Sequence, residues 1–410
     1  MVYKLSIIIP TYNREEYIKK TIDSVINQTI GFENIELIII DDNSKDNTQQ
    51  IINEYAKKYS NIKSKYLDEN SGYPGKPRNI GIELSTSDYI IFLDSDDYFE
   101  KDACEILYEK INSEKADLVF GSCTIHKLGR TLDGTPKYFK NKGILKFNSK
   151  NDEFIKIIEL ISPQLPKNIF SREIIEKNKI RFPERIPAQD AVFIIEYYFS
   201  SEKIIYLTDF NVYNYIFHEG SITTTQNLKY FKGVFKAENY ILDIFKSNNR
   251  EKDYKYHLNR KINFFISQIL SNEIEKKGEL EDVFKLFSKF FKKISIYDIT
   301  PKDDLYKIAL YLIENNDIDN FNHLKHINKK VKRLWNSNKT LKTKNSNIKR
   351  KNINLKEKNS NIKEKNLELV EKYWKLREKN DLFKEQIKEL QSIKGWVGYK
   401  KSDIINRIKK

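Results

Sequence analysis

The chain has 410 residues, of which 39% are hydrophobic and 32% charged, which excludes a wholly disordered protein and suits two or three domains. Two cysteines, Cys104 and Cys123, are too few for a disulfide framework, so we expect ordinary thiols in a reducing compartment. No stretch approaches the roughly 18 apolar residues of a spanning helix, and the first residues lack a signal-peptide pattern; we expect a cytoplasmic protein.

The net charge of +15 comes from the end of the chain. Residues 325–410 hold 27 basic and 9 acidic side chains, whereas the rest of the chain holds 46 and 49. The body is therefore close to neutral, and the basic tail needs an explanation of its own.

Strands and helices alternate from residue 4 to about residue 120. The predicted strands are the apolar runs 4–10, 35–42 and 88–94, together with the more polar run 62–68. Helical periodicity predicts helices at 14–28, 46–59 and 76–85. This alternation predicts an α/β fold with a mostly parallel sheet that is covered on both faces. In such sheets ligands bind beyond the carboxyl ends of the strands.

The middle of the chain is less regular. Residues 121–225 are expected to complete the first domain, 1–225, and to hold an acceptor substrate. Residues 226–325 carry an aromatic and aliphatic pattern typical of a helical domain, in which the Phe and Tyr side chains serve packing.

Residues 326–392 show a heptad repeat. Its d positions are Ile327, Leu334, Leu341, Ile348, Leu355, Ile362, Leu369, Leu376, Phe383 and Leu390, and six of the a positions are Asn. The pattern predicts a helical coiled coil and hence a homo-oligomer, although Asn at a weakens such a structure. A single solvated helix and a disordered, Lys/Asn-biased segment are the alternatives.

The last residues, 393–410, alternate aromatic and aliphatic side chains with lysines. That composition is typical of a helix lying on an anionic membrane, which would place the protein peripherally on the inner face of the cell membrane. Binding of an anionic polymer and a plain solvated face are the alternatives, and no motif indicates nucleic acid.

Two predicted strands end in acidic residues, in "IIIDD" and in "IIFLDSDD". The D-x-D formed by Asp94 and Asp96 could face a divalent cation and the phosphate oxygens bound to it, because Mg²⁺ and Mn²⁺ prefer oxygen ligands. Acids beyond a strand are also common as helix caps and turn residues, and Asp97 is predicted to cap the following helix.

Three stretches in this order, "SIIIPTYNREEYIKKTIDSVINQT", "IELIIIDDNSKDNT" and "GKPRNIGIELSTSDYIIFLDSDD", resemble the family 2 glycosyltransferases, which have the GT-A fold. The resemblance covers residues 3–225. Within it, the stretch "GYPGKPRNIG" (72–81) looks most like the branch that decorates cell-surface polymers such as teichoic acid. The family resemblance implies an inverting transfer of a sugar from a nucleotide-diphosphate donor, with uridine as the expected base.

The resemblance also implies roles for individual residues. The nucleotide-binding positions are Pro10, Thr11, Tyr12, Glu15, Asp42, Asn70, Arg78, Asn79, Asp94 and Ser95. Asp42 matches the carboxylate that accepts the uracil imide proton, and its neighbour Asp41 is the competing candidate. Asp96, with Asp94, matches the ligands of Mn²⁺ or Mg²⁺. Glycines Gly72 and Gly75 would let the backbone approach a ligand closely.

The catalytic base is expected at Asp190, which opens an apolar helix where the family often has Glu-Asp; here the pair is Gln189-Asp190. An acid at this place is also favoured by the helix macrodipole alone. Further along, "YNYIFHEGSITTT" matches the segment in which His218 and Ser221 would contact the donor diphosphate.

The sequence thus predicts a metal-dependent inverting glycosyltransferase that moves a sugar, with UDP as the expected carrier, to a hydroxyl of a cell-surface glycan or polyol phosphate. A sugar nucleotidyltransferase is an alternative, but it would carry a glycine-rich basic loop after the first strand. An inactive scaffold that assembles partners through its coiled coil is another alternative; the joint presence of the acids and Arg78 argues against it.

Overall fold

The computed structural model describes residues 2–127, 129–151, 154–160, 164–217, 227–271, 277–297, 299–301 and 303–392. The chain divides into two compact units, one up to His326 and the other from Ile327 onwards. The candidate site lies in the first unit.

The first part of the chain, residues 5–92, forms the predicted alternation of strands and helices and supplies the first half of the sheet. Its elements are β1 (Leu5–Thr11), α1 (Ile18–Ile26), β2 (Ile35–Asp41), α2 (Thr48–Lys58), β3 (Ile62–Tyr66), α3 (Gly75–Leu84) and β4 (Tyr89–Phe92). The four strands pair in the order β3-β2-β1-β4 and are all parallel. The carboxyl ends of these strands therefore meet at one edge, which confirms the basis of the site prediction.

Helix α1 begins four residues later than predicted. The backbone N–H of Arg14 donates to Thr48 Oγ1 at 2.7 Å, and that of Glu15 donates to the Asp46 carboxylate at 3.1 Å. Residues 14–17 are thus tied to the start of α2, so the chain enters α1 only after this link.

The second half of the sheet contains antiparallel strands. Its elements are β5 (Tyr98–Phe99), α4 (Ala103–Glu114), β6 (Leu118–Lys127), β7 (Arg130–Asp133), β8 (Ile144–Phe147), α5 (Ile155–Leu160), β9 (Asn168–Ser171), α6 (Arg172–Lys177), α7 (Gln189–Ser200) and β10 (Ile204–Ile216). Strand β9 lies antiparallel between β4 and β6, and β10 runs parallel to β6. The full order is β3-β2-β1-β4-β9-β6-β10-β5, with β7 beside β6 and β8 beside β10.

Both faces of the sheet are covered, as predicted. Along β1, Ile7 and Ile9 belong to one apolar core, which includes α1 and α4, whereas Ile8 belongs to the other, which includes α3 and α7. This alternation follows from the period of two in a strand, and it explains why consecutive residues of the central strands, such as Ile7, Ile8 and Ile9, are all apolar.

Helices follow the sheet. They are α8 (Leu228–Ser247), α9 (Tyr254–Ser271), α10 (Lys277–Ile294), α11 (Asp304–Glu314) and α12 (Ile318–Ser392). Their aromatic side chains pack together, with the rings of Phe235 and Phe290 stacked 4.2 Å apart, and they share one apolar core with α7. The interpretation of the aromatic pattern as packing is confirmed.

In the second unit the described residues, 327–392, continue α12 as one helix. The d-position side chains from Ile327 to Leu376 are 52–67% exposed. Among the described residues, none of the helices has both the length and the apolar character needed to cross a bilayer.

Candidate active site

A cleft of about 630 Å³ opens at the carboxyl ends of β1, β2 and β4. Ten of the predicted site residues line it: Pro10, Thr11, Tyr12, Asp42, Asn70, Arg78, Asp94, Ser95, Asp96 and Asp190. They come from positions up to 180 residues apart in the chain. Parallel strand order explains this, because it brings the ends of separate strands to the same edge.

The two adjacent acids at the end of β2 have different surroundings. Asp41 is fully buried, and its carboxylate accepts hydrogen bonds from the Ser44 backbone N–H at 2.9 Å and from Gln49 Nε2 at 2.6 Å. Asp42 lines the cleft, with 4% of the residue exposed. The structure therefore gives Asp41 a role in holding the β2–α2 loop and leaves Asp42 as the acid that faces the cleft.

Ser71 orients the Asp42 carboxylate. Its backbone N–H lies 3.0 Å from both carboxylate oxygens, and its hydroxyl donates to Oδ2 at 2.9 Å. Burial raises the pKa of Asp42, and the Ser71 hydrogen bonds oppose that rise because they stabilise the charged form.

The two glycines of the following loop differ in their surroundings. Gly72 lines the cleft with φ of +85° and has open space where a Cβ would be. A Cβ on Gly75 would lie 2.6 Å from the carbonyl oxygen of Pro183. The expectation that both glycines admit a ligand is thus wrong for Gly75, where the close approach is to the protein's own backbone.

Arg78 links the D-x-D segment to the helix that carries Asp190. Its Nη2 donates to Asp94 Oδ1 at 2.5 Å, and its Nη1 donates to Gln189 Oε1 at 3.1 Å. The side chain is 5% exposed, and its Nε has no hydrogen-bond partner among the described residues. A guanidinium held in this way presents a fixed positive charge, which suits phosphate oxygens.

Two other predicted nucleotide-binding residues lie outside the lining of the cleft as the structure describes it. Asn79 exchanges hydrogen bonds with the backbone of Phe182, at 3.0 and 2.9 Å. Glu15 accepts from the backbone N–H of Asn47 at 2.9 Å. Both side chains thus hold the loops that border the cleft, Asn79 the loop before α7 and Glu15 the loop before α2.

The D-x-D acids stand close to arginines. Asp94 pairs with Arg78, and Asp96 Oδ2 lies 3.4 Å from Arg14 Nε. Burial raises the pKa of Asp94; Arg78 opposes this rise, whereas the charges of Asp96 and Asp190 add to it.

These acids fit a divalent cation that is shared with a bound diphosphate. The described residues contain no group of three or more His, Cys, Asp or Glu side chains that could hold a metal ion by themselves. Mg²⁺ commonly uses one or two carboxylates and takes its remaining ligands from substrate phosphates and water. Asp94 and Asp96, which also repel each other, match that donor set.

Asp97 does not cap the next helix, so that expectation is wrong. The N-cap position of α4 belongs to Asp102, whereas Asp97 is 2% exposed and accepts from the Ile216 backbone N–H at 2.9 Å. Burial and the nearby charges of Asp94 and Asp96 raise the pKa of Asp97 to about 9. Asp97 therefore joins the D-x-D segment to the end of β10.

Asp190 lies in the first turn of α7, as predicted. The residue at the N-cap, Ala188, has a left-handed backbone conformation with φ of +56°. This bend allows Pro187, Ala188, Gln189 and Asp190 all to line the cleft.

Several cleft residues were missed by the sequence analysis. They are Asn13, Arg14, Tyr73, Pro74, Pro77, Gln164, Leu165, Pro166, Pro187, Ala188, Gln189, Tyr213, Tyr215, Ile216 and Tyr230. Arg14 could have been found from the sequence, since it is a basic residue two positions after the "PTY" stretch. Tyr230 comes from α8, and the charge of Asp190 contributes, after burial, to raising its pKa to about 12.

The charge of Asp190 also contributes to the pKa values of two basic side chains of α9. Burial lowers the pKa of Arg260 and of Lys261, and the charges of Glu238 and Asp190 oppose that change.

His218 and Ser221 lie outside the described residues, as do residues 393–410. Their predicted contacts with a diphosphate and with a membrane stay predictions.

Comparison with known proteins gives a consistent result. The model of the family described as glycosyl transferase family 2 matches residues 6–177. A poly(ribitol-phosphate) beta-N-acetylglucosaminyltransferase of Staphylococcus aureus, TarP, is 30% identical over 77% of this chain and 96% of its own length. A poly(ribitol-phosphate) beta-glucosyltransferase of Bacillus spizizenii is 28% identical over 80% of this chain, which spans about half (51%) of that protein.

Among solved structures, S. aureus TarS in complex with UDP-GlcNAc aligns with a TM-score of 0.64 at 24% identity, covering 80% of this chain and 92% of that one. This likeness confirms the predicted fold class, a GT-A-like sheet followed by a helical region.

Proposed function

The chain belongs to glycosyl transferase family 2, and on that basis we propose that it transfers a sugar from a UDP-sugar donor, with inversion, to a hydroxyl of an anionic cell-surface polymer. One observation carries the proposal. The cleft brings together four groups of suitable chemistry. They are a carboxylate for the nucleobase (Asp42), a guanidinium for the diphosphate (Arg78), a carboxylate pair for a cation (Asp94 with Asp96) and a carboxylate for proton transfer (Asp190).

The donor would lie between β2 and α3. The Asp42 carboxylate, held by Ser71, would accept the imide N–H of uracil. Arg78 would place its charge against the diphosphate, since Asp94 and Gln189 fix the guanidinium in the wall of the cleft. A divalent cation held by Asp96 and Asp94 would supply Lewis-acid stabilisation of the leaving diphosphate.

The transfer itself needs one base. The acceptor oxygen forms a bond to the anomeric carbon while the bond from that carbon to the diphosphate oxygen breaks, and UDP leaves with the electron pair. Asp190 takes the proton of the acceptor hydroxyl. A single displacement of this kind inverts the configuration at the anomeric carbon.

The acceptor is proposed to be a poly(polyol phosphate). The names of the two relatives refer to poly(ribitol phosphate).

The test is a transfer assay with a panel of UDP-sugars and poly(ribitol phosphate), with and without Mn²⁺. UDP release and the anomeric configuration of the product, read by NMR, are the measurements. We expect transfer with inversion for the wild type, and loss of transfer with retained UDP binding for Asp190→Asn. Asp88→Asn, an exposed acid that is not part of the cleft, is the matched control and should be active.

Two outcomes would contradict the proposal. Retention of configuration in the product would exclude a single displacement. Full activity of Asp190→Asn would remove Asp190 from the reaction.

A further inference from the structure

The described part of the second unit, residues 327–392, is a single helix with an exposed apolar row, and these described residues include no second element that covers the row. The d positions of α12 from Ile327 to Leu376 are all Ile or Leu and are 52–67% exposed. A continuous d row on a helix is the surface that pairs with another helix in a coiled coil. A second copy of this chain supplies the same row in the same register.

The d row is the seam along which two helices would pair, and the e and g rows that border this seam are basic. The g positions are lysine at every seventh residue from Lys344 to Lys379, and the e positions are lysine at every seventh residue from Lys342 to Lys363. All of these side chains are exposed. Glutamate occupies the f position at every seventh residue from Glu357 to Glu385, and Glu368 occupies a c position, so these acids lie on the side of the helix away from the seam.

Charges therefore oppose pairing of two copies. In a parallel coiled coil the g position of one helix faces the e position of the other, and in an antiparallel one e faces e and g faces g. With this sequence each of these pairs between residues 342 and 363 is lysine against lysine. Asn345, Asn352, Asn359 and Asn366 at the a positions add little apolar contact to overcome the repulsion.

We propose that α12 associates with a second copy through its d row only when a polyanion neutralises the e and g lysines, and that this polyanion is the phosphate-bearing acceptor polymer. Each heptad of the helix advances about 10.5 Å and carries two seam lysines, so a pair of helices presents four. A chain with one phosphate in every repeating unit can follow such a groove and match its charges. The identity of the polymer rests on the proposed function, whereas the charge pattern does not.

The consequence is a link between acceptor binding and assembly. Polymer bound along the helices would hold several catalytic units on one acceptor chain, and each bound unit would raise the local concentration of acceptor hydroxyls for its neighbours.

The test is the mass of the full-length protein in sedimentation velocity runs at about 20 mM NaCl, where exposed charges are weakly screened. Sodium polyphosphate and poly(ribitol phosphate) are the added polymers. We expect a monomer without polymer and a dimer or larger oligomer with either one. At about 1 M NaCl, where the screening length falls to roughly 3 Å, we expect association without polymer.

Two variants with equal loss of charge separate the seam from the rest of the helix. The seam variant replaces Lys342, Lys344, Lys349, Lys351, Lys356 and Lys358 by Gln. The control variant replaces Lys332, Arg333, Lys339, Arg350, Lys375 and Lys388, which occupy b, c and f positions, by Gln. We expect the seam variant to associate at low salt without polymer and the control variant to behave as the wild type.

The proposal is overturned if the wild type is already oligomeric at low salt without polymer, or if it is monomeric under every condition. Equal behaviour of the two variants would also overturn it. If a helical peptide with Glu at e and g associates with the chain while neither polymer changes its mass, the seam binds an acidic protein instead. None of these measurements uses a sugar donor, so a chain that responds to polyphosphate but transfers no sugar would refute the proposed function alone.

Discussion

Replacement of Asp42 by Asn should shift the preference of the donor site from uracil to cytosine. The imide N–H of uracil can donate to a carboxylate, whereas the corresponding ring nitrogen of cytosine carries no proton and can only accept. The amide introduced by Asp42→Asn keeps one oxygen, which the N–H and hydroxyl of Ser71 would hold, so its NH2 group would face the base and offer an N–H to cytosine. We therefore expect UDP to bind more weakly to the variant and CDP to bind more tightly.

The size of the loss follows from the setting of the carboxylate. Asp42 is 4% exposed and is held by three contacts from Ser71 at 2.9–3.0 Å, so the lost bond is a buried, charge-assisted one. Such a bond contributes about 1.5–3 kcal/mol. At 1.4 kcal/mol for a factor of ten, the dissociation constant of UDP should rise about 10- to 150-fold.

The matched control is Asp41→Asn, one residue away. Asp41 is fully buried and accepts from Ser44 and Gln49 of the loop, so this change should lower thermal stability and leave the ratio of UDP to CDP affinity as it is. Calorimetric titration of both nucleotides into both variants measures the ratio. If Asp41→Asn changes the ratio and Asp42→Asn does not, the assignment of the base-binding acid is wrong.

The remaining predictions concern the cleft wall, a buried lysine and the end of the chain. Gln189→Leu removes the acceptor of Arg78 Nη1, and a buried donor left without a partner should lower the free energy of unfolding by about 1–3 kcal/mol, measured by urea denaturation. An unchanged urea midpoint would show that the 3.1 Å hydrogen bond does not contribute to stability. Burial lowers the pKa of Lys167 to about 8, so the unfolded chain holds this proton between pH 8 and 10.5 while the folded chain does not. Lys167→Met should accordingly raise the free energy of unfolding at pH 7 by up to about 3 kcal/mol, and this gain should shrink as the pH rises from 8 to 10.5. A gain that does not depend on pH would contradict the lowered pKa of Lys167. Removal of residues 393–410 should abolish flotation with liposomes that contain anionic lipid; flotation that ignores lipid charge would exclude the membrane interpretation.

Local pattern was enough to predict the first half of the fold. Apolar runs such as "KLSIIIP" and "IELIIID" identify buried parallel strands, and the acids that follow them mark the edge where the cleft lies. The sequence could not separate Asp41 from Asp42, because both stand at the end of the same strand and are distinguished by contacts with more distant residues, Ser44 and Gln49 for Asp41 and Ser71 for Asp42.

The parts that were missed depend on distant contacts. Asp97 looked like a helix cap because it precedes α4, but a hydrogen bond from the end of β10, more than 100 residues away, determines its place. Tyr230 and Gln164 reach the cleft through packing of elements that no local pattern connects. Gly75 approaches Pro183 across more than 100 residues, a contact that sequence spacing does not reveal.

The most direct test of the central claim is calorimetric titration of UDP, CDP, GDP and ADP into the folded full-length protein, with and without Mn²⁺. The account predicts that UDP binds more tightly in the presence of Mn²⁺ and that Asp96→Ala removes the Mn²⁺-dependent part. Absence of binding by every nucleotide, or UDP binding that neither Mn²⁺ nor Asp96→Ala affects, would contradict the assignment of the cleft as a metal-assisted donor site.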